Sequence, residues 1–275
     1  MVGSKRQAAL VAAWLPLALM NSWLPASRAV AQETQADAGL QAAVNNAHRS
    51  ANFVKRDAAR KPAQELAFFG LRPDATVVEI WPGRGYWTEI LAPYLAEHGS
   101  YYVALPPAKA DEDVSPFQKK LAADPELSGH VKVTDLVPGY FSNIKPGSVD
   151  FVLTFRNFHN WMAMGKVDEI LAAFHTVLKP GGILGVEDHR ADPKEPQDPK
   201  ADSGYVRQDY TIAAIEKAGF TLVGSSEMNA NPKDDRHHEQ GVWTLPPTYA
   251  LGAKDHAKYA AIGEADNFVL KFKRN

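Results

Sequence analysis

The sequence contains no cysteine among its 275 residues. Disulfide bonds and thiolate metal sites are therefore excluded, and so is a lipoprotein anchor, because it is attached through a cysteine. The fold must be stabilised by packing and hydrogen bonding alone. With 45% hydrophobic and 23% charged residues, a chain of this length can bury one full-sized core.

Long apolar runs are also scarce. The longest covers residues 8–24, where Pro16 interrupts it, and it falls short of the ~20 continuous apolar residues that a membrane span needs. It follows Lys5 and Arg6 and precedes a small-residue stretch, the order of a secretory signal peptide. We therefore predict a signal peptide over residues 1–31, cleaved after Ala31, a periplasmic or secreted mature protein, and no stable membrane insertion after cleavage.

The sequence has no excess of basic charge. Its 30 basic residues face 32 acidic ones. Removal of residues 1–31 takes away Lys5, Arg6 and Arg28 and no acidic residue, so 27 basic residues remain against 32 acidic ones. Because no basic stripe is left, we predict that nucleic acid is not a partner and that the substrate is a small molecule.

Residues 32–275 have the pattern of a single α/β domain, in which apolar β-rich runs alternate with amphipathic helices. Thr76–Ile80 is continuously apolar apart from one acid, as in a parallel strand buried on both faces. The alternation predicts a doubly wound, Rossmann-like, seven-stranded sheet with helices on both faces. No helical pattern separates the last two strands, residues 220–225 and 267–273, so the last strand should insert antiparallel into a mostly parallel sheet.

Two segments fall outside this alternation. Residues 32–70 form a predicted N-terminal helical segment. It is either a solvated helix or a lid that brings Arg49, Arg56 or Arg60 to a substrate carboxylate or phosphate. Residues 229–266 form a predicted cap over the cleft, whose aromatic residues either pack into a small core or line the substrate site.

The stretch VVEIWPGRGYWTEIL, residues 77–91, runs from the first strand through a turn into a helix. Such a strand–loop–helix is where α/β folds place a cofactor, at the carboxyl end of the strand. Gly83 and Gly85 allow the backbone to approach a ligand closely, and Glu79 lies at the strand tip. An NAD-type loop needs a third glycine where this chain has Thr88. The loop therefore favours a methyl-donor site over a dinucleotide site.

Three motifs together resemble the class I S-adenosylmethionine (SAM)-dependent methyltransferases: EIWPGRG, VDFVLTFRNFHNW and VLKPGGILGVEDHR. The resemblance covers about 200 residues, from near Val77 to the C-terminus. More narrowly, EIWPGRGYWTEILAPYL together with VWTLPP resembles a family of exported methyltransferases without a settled substrate. The resemblance implies SAM as the cofactor.

The same resemblance implies roles for individual residues. Glu79 would contact the methionine portion of SAM, and Asp135 the adenine amino group. The cofactor-binding residues that it implies are Glu79, Gly83, Gly85, Tyr86, Asp135, Asn157 and Phe158. The chain departs from the family at Trp81, which replaces the first glycine, and at Leu105-Pro106, which replaces the acid that holds the ribose. Asp111 or Asp113 is the alternative ribose ligand.

Catalytic residues are predicted after strands four and five. His159 stands where family members place residues beside the transferable methyl group, and its ordinary pKa suits a general base. Asp188 or Asn157 would orient it. A histidine that bonds a backbone carbonyl is the alternative. No metal-type spacing organises His159, Asp188 and His189, so the sequence predicts no metal site.

These observations favour a SAM-dependent methyltransferase that acts outside the cytoplasm on a small molecule or an exposed group. The alternative is a catalytically inactive protein of the same fold that binds or interacts in the periplasm, because Trp81 and the missing ribose acid degrade the cofactor site. A nucleotide-dependent oxidoreductase is the weaker third possibility.

Overall fold

The computed structural model describes residues 1–3, 36–106, 114–137 and 139–275. Residues 4–31 of the predicted signal peptide, with its cleavage site, lie outside the described residues, and so do Asp111 and Asp113. Within the described ranges, no helix is both long enough and apolar enough to cross a membrane.

The described strands form one sheet. They are β1 (Thr76–Ile80), β2 (Ser100–Leu105), β3 (Lys132–Val137), β4 (Tyr140–Phe141), β5 (Val149–Phe155), β6 (Leu178–His189), β7 (Phe220–Ser226) and β8 (Asn267–Arg274). Their order is β4-β3-β2-β1-β5-β6-β8-β7. Neighbouring strands pair in parallel along the series β3-β2-β1-β5-β6. Strand β8 runs antiparallel between β6 and β7. The predicted Rossmann-like fold class and the antiparallel last strand are confirmed.

The sheet differs from the prediction in three details. It has eight strands in the described residues rather than seven, because two residues, Tyr140–Phe141, pair antiparallel with β3, and so short a strand has no sequence pattern. The apolar run over residues 131–133 predicts a strand that ends before Asp135, but β3 extends to Val137, so Asp135 lies inside the strand and pairs with Leu105. The run over residues 183–186 predicts a start at Ile183, but β6 begins at Leu178, since the KPGG turn joins the ladder through a register shift.

Helices cover both faces of the sheet. They are α1 (Ala38–Val44), α2 (Ala51–Val54), α3 (Asp57–Arg60), α4 (Pro62–Phe69), α5 (Thr88–Leu95), α6 (Pro116–Ala123), α7 (Pro125–Gly129), α8 (Phe158–Ala163), α9 (Val167–Val177), α10 (Gln208–Lys217) and α11 (His256–Ile262). The sequence explains where helix α4 begins and ends. Pro62 occupies its first turn, and Gly70 ends it with φ 81°.

The core lies in two layers, one on each side of the sheet. Neighbouring residues of β1 alternate between them: Val77 packs with α1, α4 and α5, whereas Val78 packs with α8, α9 and α10. Both side chains are fully buried, as expected for a central parallel strand. A third, smaller cluster joins Tyr205 to residues 242–265. The carboxyl ends of β1, β5 and β6, which carry polar residues, meet at one edge of the sheet, between the two main core layers.

Candidate functional site

The glycine loop follows β1 at the carboxyl edge of the sheet. Gly83 and Gly85 have φ angles of 61° and 86°, the left-handed region that glycine adopts without strain. A Cβ added at Gly83 would have no heavy atom within 4 Å, whereas one at Gly85 would lie 3.3 Å from Phe117. The loop thus presents open backbone at Gly83 and packed backbone at Gly85.

Trp81 has a backbone conformation that glycine adopts more readily. Its φ is 46°, which is strained for a residue with a side chain. The indole packs edge-on against Trp161, with ring centroids 6.2 Å apart and an interplanar angle of 83°. One side of the indole is therefore anchored in the core, while the residue still forms part of a cavity wall.

Glu79 is buried at the end of β1. Its Oε2 accepts a hydrogen bond from Thr88 Oγ1 at 2.8 Å and another from the hydroxyl of Tyr101. Burial raises the pKa of Glu79 to about 7, although these two hydrogen bonds oppose the shift. Among the described residues, no hydrogen bond to Oε1 is formed, so that oxygen is available to a ligand in the adjoining cavity.

Four arginines line the same cavity: Arg84 in the glycine loop, and Arg56, Arg60 and Arg156, which form ion pairs with glutamates. Arg56 binds Glu264 through two hydrogen bonds of 2.6 and 2.7 Å, and Arg156 reaches the same carboxylate at 3.0 Å. Arg60 pairs with Glu187 at 3.0 Å. Its guanidinium also lies 4.3 Å from the ring centroid of Tyr86, a distance typical of a cation–π contact.

Burial and neighbouring charges shift the pKa values of two glutamates beside these arginines. Burial and the charge of Glu187 hold the pKa of Glu65 well above its ordinary range. Burial raises the pKa of Glu264, but the hydrogen bond from Arg56 and the charge of Arg156 outweigh it and bring the pKa to about 2.

Burial and the charge of Arg60 lower the pKa of Arg156 to about 10, which still leaves it charged. The guanidinium groups of Arg56, Arg60 and Arg156 form ion pairs with two carboxylates, Glu187 and Glu264. Arg60 Nε is buried without a hydrogen-bond partner among the described residues. The cluster is suited to an anionic group.

A cavity of about 240 Å³ joins the glycine loop to the arginines. Its walls come from α2, α3, the ends of β1 and β5, and the loops that follow them. The predicted residues Glu79, Gly83, Tyr86 and Asn157 line this cavity. Asn157 also donates to the carbonyl of Ile80 at 2.8 Å and so ties the ends of β5 and β1 together.

The other predicted cofactor residues lie elsewhere. Phe158 is fully buried in the core against Trp161, and Asp135 is exposed on β3. Gly85 packs against Phe117, outside the cavity wall. The structure does not bring these three side chains or positions to the cavity, and their roles stay predictions.

His159 and Asp188 meet as predicted. His159 Nδ1 lies 2.9 Å from Asp188 Oδ1, and the backbone N–H of His159 donates to Oδ2 at 3.2 Å. Asp188 is completely buried. Burial raises its pKa, but the charge of His159 and its hydrogen bond lower it below the ordinary value. The carboxylate therefore accepts the Nδ1 proton, which leaves Nε2 of His159 as the basic nitrogen.

His189 and Trp243 lie beside His159, which is not among the residues that line the 240 Å³ cavity. The two imidazole rings of His159 and His189 have centroids 5.5 Å apart, and Trp243 of the predicted cap segment lies edge-on to His159 at 6.1 Å. His189 Nδ1 bonds Asn267 Oδ1 at 2.7 Å. Burial lowers the pKa of His189 to about 3, so this ring is neutral.

Sequence reasoning missed part of this site. Arg156 directly follows β5 in the motif TFRNFHN, and its position beside Asn157 was a usable signal. Glu264 carries no such signal, because it reaches Arg56 across 208 residues of chain. The alternative of an arginine lid agrees with the positions of Arg56 and Arg60 on the cavity wall, whereas Arg49 binds Asp57 instead.

Comparison with solved structures identifies the fold. A SAM-dependent methyltransferase from Aquifex aeolicus superposes with a TM-score of 0.54 and 16% identity, over 82% of this chain and 97% of that chain. The chain has the Rossmann-like methyltransferase fold. The [4+2]-cyclase SpnF superposes with a TM-score of 0.51 and 15% identity, over 89% of this chain and 97% of that chain.

At these identities the comparisons establish the fold alone, and the cyclase illustrates that one fold serves different reactions. No protein-family model matches the sequence, and no curated protein matches it.

Proposed function

We propose that this protein is a SAM-dependent methyltransferase that acts outside the cytoplasm on a small molecule or an exposed group. The observation that carries the proposal is that groups of opposite charge line one cavity. Glu79 offers a carboxylate oxygen, and Arg56, Arg60 and Arg156 offer guanidinium groups. An amino-acid head such as that of SAM has an ammonium and a carboxylate, which match these two kinds of group.

The residues present fit the methionine portion of SAM. Open backbone at Gly83 permits close approach, and the contact with Trp161 holds one side of the Trp81 indole in the core. The ribose is less well provided for, because β2 ends at Leu105 and Pro106 follows it. Asp111 and Asp113, the alternative ribose ligands, lie outside the described residues.

The chemistry makes limited demands on the chain. SAM supplies an electrophilic methyl group on its sulfonium. The protein must align the acceptor with that methyl group, and must remove a proton when the acceptor carries one. His159 is the base in this proposal. Asp188 holds its tautomer through the 2.9 Å contact at Nδ1, so that Nε2 can take the proton.

The location proposed rests on the sequence alone. Lys5 and Arg6, the apolar run and the small residues before Gln32 support export. Acidic excess in the remaining chain agrees with a small-molecule acceptor and gives no reason to expect nucleic acid.

Isothermal titration of the purified protein with SAM and with its demethylated product tests the proposal. We expect both ligands to bind in the micromolar range. 5′-Methylthioadenosine, which lacks the amino-acid head, should bind at least ~100-fold more weakly, because two charge-assisted contacts of ~1.5–3 kcal/mol each are lost. Absence of binding at millimolar SAM would refute the proposal.

Arg156→Met is the matching variant. It removes one guanidinium from the cavity wall, while Arg56 still pairs with Glu264, so the fold should tolerate it better than loss of Arg60. We expect weaker SAM binding with little change for methylthioadenosine. Equal weakening of both ligands would show that Arg156 does not recognise the amino-acid head.

The second candidate is a binding or interaction protein that keeps the fold without the chemistry. Trp81 in place of the first glycine favours it. Gly83→Arg distinguishes the two, because Gly83 lines the cavity and has open space beside its backbone. The variant should abolish a phenotype that depends on methyl transfer and leave a binding phenotype intact, provided that circular dichroism shows normal folding.

A further inference from the structure

The carboxyl ends of β5 and β6 gather two imidazoles and a carboxylate in one place. One nitrogen from each of His159 and His189 and one oxygen of Asp188 lie within 4.8 Å of one another, and all three residues are buried. We propose that this cluster binds a divalent transition-metal ion of the Zn²⁺ type. The residues are too irregularly spaced in the sequence to show such a site, and folding brings them together.

The ligand set selects the class of metal. Imidazole nitrogen with one carboxylate oxygen suits Zn²⁺ and its neighbours in the first transition row, whereas Mg²⁺ and Ca²⁺ require oxygen ligands throughout. Ligand atoms around a tetrahedral Zn²⁺ ion, with bonds of ~2.0–2.2 Å, lie ~3.3 Å apart. The three side chains therefore need only small adjustments to close around the ion.

Metal binding requires one change of proton position. A metal ligand must be a neutral imidazole or an ionised carboxylate. The proton between His159 Nδ1 and Asp188 Oδ1 must therefore leave Nδ1. Coordination replaces that hydrogen bond with two bonds to the metal, and the ring takes up a proton at Nε2, so the imidazole stays neutral and no net proton is released.

Residues outside the proposed metal site already contact one of its ligands. Asn267 on β8 fixes His189 through its Nδ1 at 2.7 Å. Asn267 in turn donates to Glu187 at 3.3 Å. Such outer contacts orient metal-binding imidazoles and strengthen their sites. His189 is thus held by a side chain that has no other evident function.

Three protein ligands leave a coordination position for a further group. Catalytic zinc sites have this arrangement, in which a water or substrate oxygen completes the tetrahedron. A metal-bound hydroxyl loses its proton at lower pH, so in the metal-loaded protein coordination would replace His159 as the means of deprotonating an acceptor. The proposal does not rest on methyl transfer, because metal binding requires no SAM.

A second group of possible ligands, Asp234, Asp235 and His238, is a poorer site. Asp234 already accepts hydrogen bonds from Tyr205, the Arg236 and Asp266 backbone N–H groups, and His238. Its oxygens have no free capacity for a cation. These hydrogen bonds connect the predicted cap segment, residues 229–266, to Tyr205. The cluster therefore provides a matched control for metal binding.

Titration of untagged, metal-free protein with Zn²⁺ tests the proposal. We expect one ion per chain with a dissociation constant of 1 µM or lower as an order of magnitude, and no binding of Mg²⁺. Co²⁺ should give the visible absorption of a tetrahedral complex. His189→Asn should weaken Zn²⁺ binding at least ~100-fold, and His238→Asn by less than ~3-fold.

Two results would overturn the proposal: failure of the wild-type protein to bind Zn²⁺ stoichiometrically, or undiminished binding by His159→Asn/His189→Asn. If the double variant does not fold, X-ray absorption of the Zn²⁺-loaded wild-type protein decides the matter. Scattering from two imidazoles at ~2.0 Å supports the site, and its absence rejects it. Zn²⁺ binding without SAM binding would support this proposal and reject SAM-dependent methyl transfer. SAM binding without Zn²⁺ binding would do the reverse.

Discussion

The two sides of the cleft satisfy their polar groups in opposite ways. The side formed by α2, α3 and the loop after β5 is rich in donors, because Arg56, Arg60 and Arg156 share only Glu187 and Glu264 as charged partners. The side at the ends of β5 and β6 is rich in acceptors, because Asp188 and two imidazoles have more lone pairs than protons to share. The first suits an anion, and the second suits a proton or a cation.

This difference follows from burial. A buried guanidinium cannot lose its proton, so an excess of arginine remains as positive charge. A buried histidine gives up its proton instead and becomes neutral, as His189 does. A zwitterionic ligand on the donor side and an acceptor group or metal on the acceptor side would therefore occupy one continuous edge of the sheet without competing for the same residues.

The largest effect should come from Arg60→Met. The variant leaves Glu187, which is fully buried, without its charged partner, and loss of one member of a buried pair destabilises a protein by ~3–5 kcal/mol. Arg56→Met is the control, since Arg156 continues to neutralise Glu264, and its effect should stay near ~1 kcal/mol. Urea unfolding at pH 7 measures both. Equal effects would show that the donor side is not held together by Glu187.

Glu79→Gln should be next in size. A carboxyl whose pKa is raised from 4.5 to about 7 in the folded protein favours folding less as pH rises between those values. The glutamine variant should therefore match wild type below pH 4.5 and exceed its free energy of unfolding by up to ~3 kcal/mol above pH 7, at 1.36 kcal/mol per pKa unit.

The same substitution should weaken SAM binding, because it removes the negative charge that faces the ammonium group. In wild type, SAM affinity should fall as pH decreases through 7, where Glu79 gains its proton, and the variant should lack this dependence. Unfolding and titration at pH 5, 7 and 8 test both expectations. A variant that is no more stable at pH 8 than wild type would contradict the raised pKa.

Asp188→Asn tests the acceptor side. The amide would place a donor beside the backbone N–H groups of His159 and His189, which now donate to the carboxylate. We expect a loss of about 2 kcal/mol in the free energy of unfolding at pH 7, the range of a charged hydrogen bond. Because the pKa of Asp188 is lowered, its contribution is present above the ordinary carboxyl pKa and disappears in stronger acid, so the difference should shrink there.

The predictable part of the site is the local part. Strand, turn and helix follow one another in residues 77–91, so Glu79 and Gly83 could be assigned from sequence. His159 and Asp188 were also predicted together, since the carboxyl ends of adjacent parallel strands meet at one edge. The antiparallel insertion of β8 followed from the missing helix before it.

The remainder depends on contacts over long distances in the chain. Glu264 meets Arg156 across 108 residues, and nothing near Glu264 marks it as a partner of arginine. The raised pKa of Glu65 depends on its burial and on the charge of Glu187, which is far from it in the sequence. The same is true of His189, whose value as a ligand depends on Asn267 from the last strand. Residue type alone does not determine these pKa shifts and contacts, because they arise only when the two core layers pack against the sheet.

The smallest predicted effect concerns the glycine loop. Gly83→Ala places a Cβ where no atom lies within 4 Å, so the only loss of stability is the left-handed backbone strain of about 1 kcal/mol. Gly85→Ala has the same strain and also approaches Phe117 at 3.3 Å, so it should destabilise the protein more. Gly83→Asn is the control for strain, because asparagine tolerates this conformation better.

Ligand binding should reverse this order. The Cβ at residue 83 enters space beside the cavity, where a cofactor approaches the backbone, so Gly83→Ala should weaken SAM binding at least tenfold, which is ~1.4 kcal/mol. Gly83→Asn should weaken it as much or more, although its strain is smaller. Residue 85 packs away from the cavity, so Gly85→Ala should lower the free energy of unfolding more than it weakens the free energy of SAM binding. If affinity follows stability across the three variants, the open backbone at Gly83 is not a contact surface for the cofactor.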